Sequence, residues 1–71
     1  MDDKFLNRVL RLMPVSEMKQ TIDNMSLVQK QELVDYTVKQ NDIQLDRLKI
    51  VSEKCKVDIL KVIELNRQKG E

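Results

Sequence analysis

Residues able to perform acid–base, nucleophilic or metal chemistry are few in this chain and do not form a group. It has no histidine, the commonest general base and a frequent metal ligand. Its one cysteine, Cys55, lies between Lys54 and Lys56, and nearby positive charge favours a reactive thiolate. Neighbours along a helix point to different faces, however, and Cys55 falls within an apolar stripe. The pattern therefore favours an inert core thiol over a nucleophile.

Phosphate, metal and paired-carboxylate sites also lack their usual sequence patterns. Gly70 is the only glycine, so neither a glycine-rich phosphate loop nor an EF-hand loop is present. Asp42 and Asp46 are one helical turn apart, but the adjacent Arg47 and Lys49 indicate a solvated charged face. We therefore predict no catalytic residue, no metal and no cofactor, and we do not expect an enzyme.

The charge pattern limits the partners that the chain is expected to have. Its 13 basic and 12 acidic residues give a formal net charge of +1. The two signs are interleaved, whereas proteins that bind DNA through its phosphates need clustered basic residues. Nucleic acid is therefore not an expected partner. The apolar runs are too short for a membrane span, and no signal peptide pattern follows Met1, so a cytoplasmic location is predicted.

Composition predicts an all-α fold in a single small domain, residues 1–71. Pro14 and Gly70 are the only residues of their kinds, whereas β proteins need several such residues for their turns. The abundant Lys, Glu, Gln, Leu and Met are good helix formers. Within residues 1–25 the spacing predicts two short helices separated by Pro14. The first runs from Asp2 to Met13, and the second runs from an N-cap at Ser16 to about Met25.

Residues 26–69 are predicted to form one long amphipathic helix. Ser26 and Gln29 fit a capping box, and no glycine or proline follows until Gly70. Such a helix would be about 65 Å long at 1.5 Å per residue. The alternative is a break near Gln40–Asp42, where Asn41 interrupts the apolar pattern. That break would give an antiparallel hairpin, and the chain could then form a monomeric bundle.

Two apolar stripes run along this segment. The first, which we call the heptad seam, has the alternating spacing of a coiled coil, with polar Asn41 and Ser52 in its gaps, and contains Val34, Val38, Leu45, Leu48, Cys55, Ile59 and Val62. The second stripe repeats every seven residues on nearly the opposite side and contains Tyr36, Ile43, Ile50 and Val57. Two apolar faces on one helix require two neighbours. We therefore predict a homo-oligomer, with the heptad seam as the oligomer or partner interface.

These features predict a non-enzymatic protein of the regulatory or accessory kind. It would act as a homo-oligomeric helical bundle that binds or inhibits a partner protein whose identity the sequence leaves open. The Lys-, Asn- and Gln-leaning composition resembles that of small accessory proteins of bacteria and their phages. The alternative function is binding of a small ligand or nucleic acid in a basic pocket between subunits. In that case Arg8 and Arg11, with Lys19 or Lys30, would contact the anion.

Overall fold

Five α-helices and one π-helical segment follow one another within the part of the chain that the structure describes. The computed structural model describes residues 2–40 and 42–67. The elements are α1 (Asp3–Asn7), the π-helical segment (Arg8–Leu12), α2 (Val15–Asp23), α3 (Leu27–Lys39), α4 (Leu45–Cys55) and α5 (Ile59–Arg67). The described residues contain no strand, and the predicted all-α class is confirmed.

The first helix begins and ends at the residues that local rules favour. The Asp2 side chain caps its start by accepting a hydrogen bond from the Lys4 backbone N–H at 3.0 Å. Near its end the Met13 N–H donates to the Arg8 carbonyl, five residues back, at 2.8 Å. Met13 itself is extended (φ −72°, ψ 137°), as residues before a proline usually are. Pro14 therefore ends the helix, as predicted.

The π-helical turn leaves the Val9 carbonyl without its usual helical donors. The α-helical donor would be the Met13 N–H, which bonds to Arg8 instead. The π-helical donor would be residue 14, which is a proline and has no N–H. Arg47, a residue of α4, donates a hydrogen bond from Nη1 to this carbonyl, and the two atoms are 3.1 Å apart. A long-range hydrogen bond thus replaces a missing local one and holds α4 against the N-terminal helix.

The N-cap of the second helix lies two residues earlier than predicted. Pro14 occupies the N-cap position, and its carbonyl accepts a hydrogen bond from the Met18 N–H at 2.8 Å. The helical hydrogen bonds therefore begin before Ser16, and the prediction of Ser16 as N-cap is wrong. Met18 and Ile22 are one helical turn apart and are both fully buried. This short helix is stabilised by packing, since α2 contacts α4.

The third predicted helix begins where expected but does not continue. The capping box is confirmed: the Gln29 N–H donates to Oγ of Ser26 at 3.1 Å, and the Ser26 N–H donates to Oε1 of Gln29 at 2.9 Å. The helix ends at Lys39, and Gln40 is extended (φ −84°, ψ 162°). The prediction of one helix over residues 26–69 is therefore wrong, and the alternative break near residues 40–42 agrees with the structure. Asn41 and Lys69 lie outside the described residues.

A second break, which the sequence analysis did not anticipate, separates α4 from α5. Lys56 has the left-handed backbone conformation (φ 56°, ψ 49°). The Ser52 carbonyl accepts from the N–H groups of both Lys56 and Val57. The Ser52 hydroxyl in turn donates to the Val57 carbonyl at 2.5 Å. This is the geometry of a left-handed helix cap, a position that glycine usually occupies.

These two reversals bring α3, α4 and α5 into contact with one another. The largest extent of the fold is 34 Å, about half the length of the continuous helix that the sequence predicts. The buried apolar side chains come from all six helical elements and from three connections, and they are Leu6, Val9, Leu10, Met13, Met18, Ile22, Met25, Leu33, Ile43, Leu48, Ile50, Val51 and Val62. The chain therefore forms a core from its own residues.

Ser16 and Ser26 provide a matched test of where α2 and α3 begin. We expect Ser26→Ala to lower the free energy of unfolding by about 1 kcal/mol, because it removes an N-cap side chain. Ser16→Ala should have little effect, because Ser16 is exposed and lies inside α2. Urea unfolding followed by circular dichroism measures both. An equal or larger loss in Ser16→Ala would show that α2 starts at Ser16 after all.

The Arg47–Val9 hydrogen bond gives a second prediction. Arg47→Met keeps most of the apolar stem but leaves the Val9 carbonyl without its donor, and we expect a loss of about 1–3 kcal/mol in unfolding free energy. Arg8→Met is the control, since Arg8 is exposed and its substitution should change stability by less than about 0.5 kcal/mol. Equal effects of the two substitutions would contradict the role given to Arg47.

Candidate interaction surface

The predicted heptad seam does not form one continuous exposed face. Leu48 is fully buried, Val62 is buried, and Leu45 is 45% exposed. The remaining members are half-buried, and they are Val34, Val38, Cys55 and Ile59. The breaks after Lys39 and Cys55 divide the seam among three helices. An interface made from the whole seam would therefore require the fold to open.

The second predicted stripe lies largely inside the chain as well. Ile43 and Ile50 are buried, and Tyr36 and Val57 are half-buried against the same core. Ile43 stands in the connection between α3 and α4, where it is an apolar anchor. The sequence pattern predicted that this stripe needs a neighbour. The chain's own helices supply that neighbour.

Cys55 lies at the end of α4 and is half-buried. Burial raises the pKa of its thiol above the ordinary value, and the positive charge of Lys30 lowers the pKa by less. Lys54 is turned elsewhere, with its Nζ 3.0 Å from Oδ2 of Asp23. A thiol with a raised pKa stays protonated at neutral pH and is a poor nucleophile. This chemistry agrees with a structural cysteine.

The predicted anion contact has an internal partner. One guanidinium nitrogen of Arg11, Nη2, lies 2.6 Å from Oδ1 of Asp42 and 2.9 Å from Oε1 of Gln40. A small cavity of about 120 Å³ adjoins this ion pair and is also lined by Arg47. Arg8 is exposed and is not part of the cavity lining. Within one chain, Arg8 and Arg11 therefore do not line a common pocket. The basic pocket between subunits stays a prediction.

A larger, open groove of about 220 Å³ runs between α1 and α3. Its lining mixes carboxylates with a lysine and two apolar side chains, and it consists of Asp3, Leu6, Glu32, Asp35, Tyr36 and Lys39. Across residues 2–40 and 42–67, no three acidic or cysteine side chains are close enough together to hold a metal ion. The groove therefore offers no metal centre among the described residues.

Exposed aliphatic side chains at one end of the bundle form the strongest candidate surface. Leu27 is 84% exposed, Val28 is 69% exposed and Leu60 is 73% exposed. We call these three residues the apolar end. Leu27 and Val28 are the first two residues of α3, and Leu60 is the second residue of α5. Single exposed aliphatic residues are common, but a group at one end of a small fold marks a candidate contact surface.

The topology brings these two helix starts together. A connection of five residues joins α3 to α4, and the two helices contact each other as a hairpin. The end of α4 therefore lies near the start of α3. Only three residues separate α4 from α5, and α5 packs against α3. The starts of α3 and α5 consequently lie at the same end of the molecule.

Side-chain caps hold both helix starts in place. The capping box of Ser26 and Gln29 fixes the first turn of α3. At the start of α5, Oδ1 of Asp58 accepts a hydrogen bond from the Leu60 N–H at 3.0 Å. Leu27, Val28 and Leu60 were not among the predicted interface residues. The sequence does contain a signal for their exposure, because Leu27 and Leu60 come just after the capping residues Ser26 and Asp58. Residues in the first turn of a helix often lie outside its buried stripe.

Comparison with known proteins gives no relative: no family model matches the chain, and no curated protein or solved structure is significantly similar to it. Among the described residues, none of the helices is both long enough and apolar enough to cross a lipid bilayer. The function is therefore argued from the chain's own surface.

Substitutions of two leucines in the predicted seam test whether the seam belongs to the core or to an oligomer interface. Leu48→Ala should lower the free energy of unfolding by about 2–5 kcal/mol, because it leaves a cavity in a fully buried site. Leu45→Ala should cost less than about 1 kcal/mol, because Leu45 is almost half exposed. Chemical denaturation over a series of protein concentrations measures both. Similar losses that grow with protein concentration would instead restore the seam as an oligomer interface.

Proposed function

We propose that the chain is a non-catalytic interaction protein that regulates or inhibits a partner protein by binding it through the apolar end. The observation that carries this proposal is the exposure of Leu27, Val28 and Leu60 at one end of the fold. Burying a large aliphatic side chain is worth roughly 1.5–3 kcal/mol. Three such side chains are enough to act as the anchors of a small interface.

Preorganisation of the apolar end supports the proposal. The anchors stand on capped helix turns, so little backbone freedom is lost when a partner binds. Exposed charges of both signs flank Leu60 along the chain, among them Lys56, Asp58 and Lys61. An apolar centre with a charged rim is the usual arrangement of a protein–protein interface. The partner surface is expected to offer apolar side chains surrounded by polar ones.

The chemistry of the polar residues favours this proposal over the alternatives. The raised pKa of the Cys55 thiol argues against nucleophilic catalysis. The ion pair between Arg11 and Asp42 compensates the charge that an anion site would need. A basic pocket between subunits therefore has no specific observation in its favour. Binding through apolar contacts needs neither group.

Selection from a displayed library of random peptides tests the proposal without a known partner. We expect enriched peptides with apolar anchors, and we expect their binding to shift the nuclear magnetic resonance signals of Leu27, Val28 and Leu60. Leu27→Asp and Leu60→Asp should each weaken binding of a selected peptide at least tenfold, a loss of about 1.4 kcal/mol.

Leu12→Asp is the matched control, because Leu12 is 74% exposed but lies at the end of the π-helical segment. It should leave peptide affinity unchanged. The proposal fails if no peptide is enriched, or if Leu12→Asp weakens binding as much as the other two substitutions.

A further inference from the structure

We propose that α5 exchanges between two copies of this chain, with the turn at Lys56 as the hinge. In the exchanged dimer, α4 and α5 form one straight helix, and each α5 packs against α3 and α4 of the other copy. This inference does not depend on the function proposed for the apolar end.

The hinge residue favours opening. Within the described residues, Lys56 is the one non-glycine residue with a positive φ angle. The left-handed conformation is unfavourable for an L-residue with a side chain, because Cβ approaches the following carbonyl oxygen. A straight helix through Lys56 would remove this strain. Short hinges under strain are a known cause of helix and strand exchange between protomers.

The sequence around the hinge is already suitable for a straight helix. Residues 45–67 contain neither glycine nor proline. The heptad seam keeps its spacing of three and four through the hinge, from Leu48 through Ser52 and Cys55 to Ile59 and Val62. Straightening would therefore place the α5 part of the seam in register with the α4 part. The turn interrupts a pattern that is otherwise continuous.

Opening leaves a surface that a second copy fits. α5 contacts both α3 and α4, with Val62 buried and with Ile59 and Ile63 half-buried against the core. Detachment would expose these side chains and the surface under them. An α5 from a second copy can restore the same contacts, because its sequence is identical. The dimer therefore needs no interface that the single chain lacks.

Specific hydrogen bonds oppose this opening. The Ser52 hydroxyl donates to the Val57 carbonyl, and the Asp58 carboxylate accepts from the Leu60 N–H. A straight helix would break the turn geometry that holds both bonds. The balance between these bonds and the strain at Lys56 gives a monomer–dimer equilibrium that depends on protein concentration. Leu60 would come from the other copy in the dimer, so both chains would contribute to each apolar end.

Substitution of the hinge residue tests the exchange. Lys56→Gly relieves the strain of the closed form and weakens the straight helix, so both effects favour the monomer. We expect it to weaken dimerisation by about 30- to 1,000-fold, because the strain is relieved at both hinges of each dimer. Lys56→Gln is the control, because it removes the charge but retains the strain, and its dimerisation should match that of the unmodified chain. Sedimentation equilibrium up to millimolar protein measures these affinities.

Substitution of the cap residue Asp58 should have the opposite effect on dimerisation. Asp58→Ala removes the cap of the closed form and raises helix propensity at the hinge, so it should strengthen dimerisation severalfold. Asp58→Asn retains a capping side chain and should behave like the unmodified chain. Nuclear magnetic resonance of a mixed dimer of isotope-labelled and unlabelled chains then shows whether α5 contacts its own chain or the other copy. The contacts between α5 and α3 should be intermolecular.

Three results would overturn the proposal. The first is a monomer at all concentrations for both the unmodified chain and Asp58→Ala. The second is a dimer in which the contacts between α5 and α3 stay within one chain. The third is an equal effect of Lys56→Gly and Lys56→Gln, because the charge of Lys56 and not its backbone conformation would then control assembly.

Discussion

The structure depends on the need of a 71-residue chain to bury a long amphipathic segment against itself. Small domains cover little of their surface, so an apolar stripe left in water would forfeit much of the available stability. Reversals at residues 40–44 and 56–58 meet this need by dividing the segment into three short helices that contact one another. The positions of the core, the cysteine and the exposed apolar end all follow from these two reversals.

The N-terminal helices contact these three helices through polar interactions that contribute unequally to stability. The ion pairs Arg11–Asp42 and Lys54–Asp23 are largely exposed on their acidic sides, and such pairs contribute little to stability. The hydrogen bond from Arg47 to the Val9 carbonyl is part-buried, and it satisfies a backbone group that Pro14 leaves without a donor. A proline that ends one helix thus creates the acceptor by which a distant helix is held.

Local rules predicted some of this fold and failed where a residue departs from its usual role. The helical class, the stop at Pro14 and the capping box at Ser26 and Gln29 follow from composition and short motifs. The turn at Lys56 does not, because its left-handed conformation normally requires glycine and is here supported by Ser52 and Val57. The heptad pattern identified apolar residues that pack, in part, against the chain's own helices. Periodicity alone does not say whether a stripe meets its own chain or another. The exposed apolar end was missed because it depends on that fold.

Small-angle X-ray scattering of the dilute chain tests the central claim, that the amphipathic segment folds back twice within one molecule. At concentrations where the forward scattering gives a mass of 8.4 kDa, the account predicts a compact particle. Its maximum dimension should be close to the 34 Å extent of the fold. A monomer with a dimension near 65 Å, the length of a continuous helix at 1.5 Å per residue, would contradict the account.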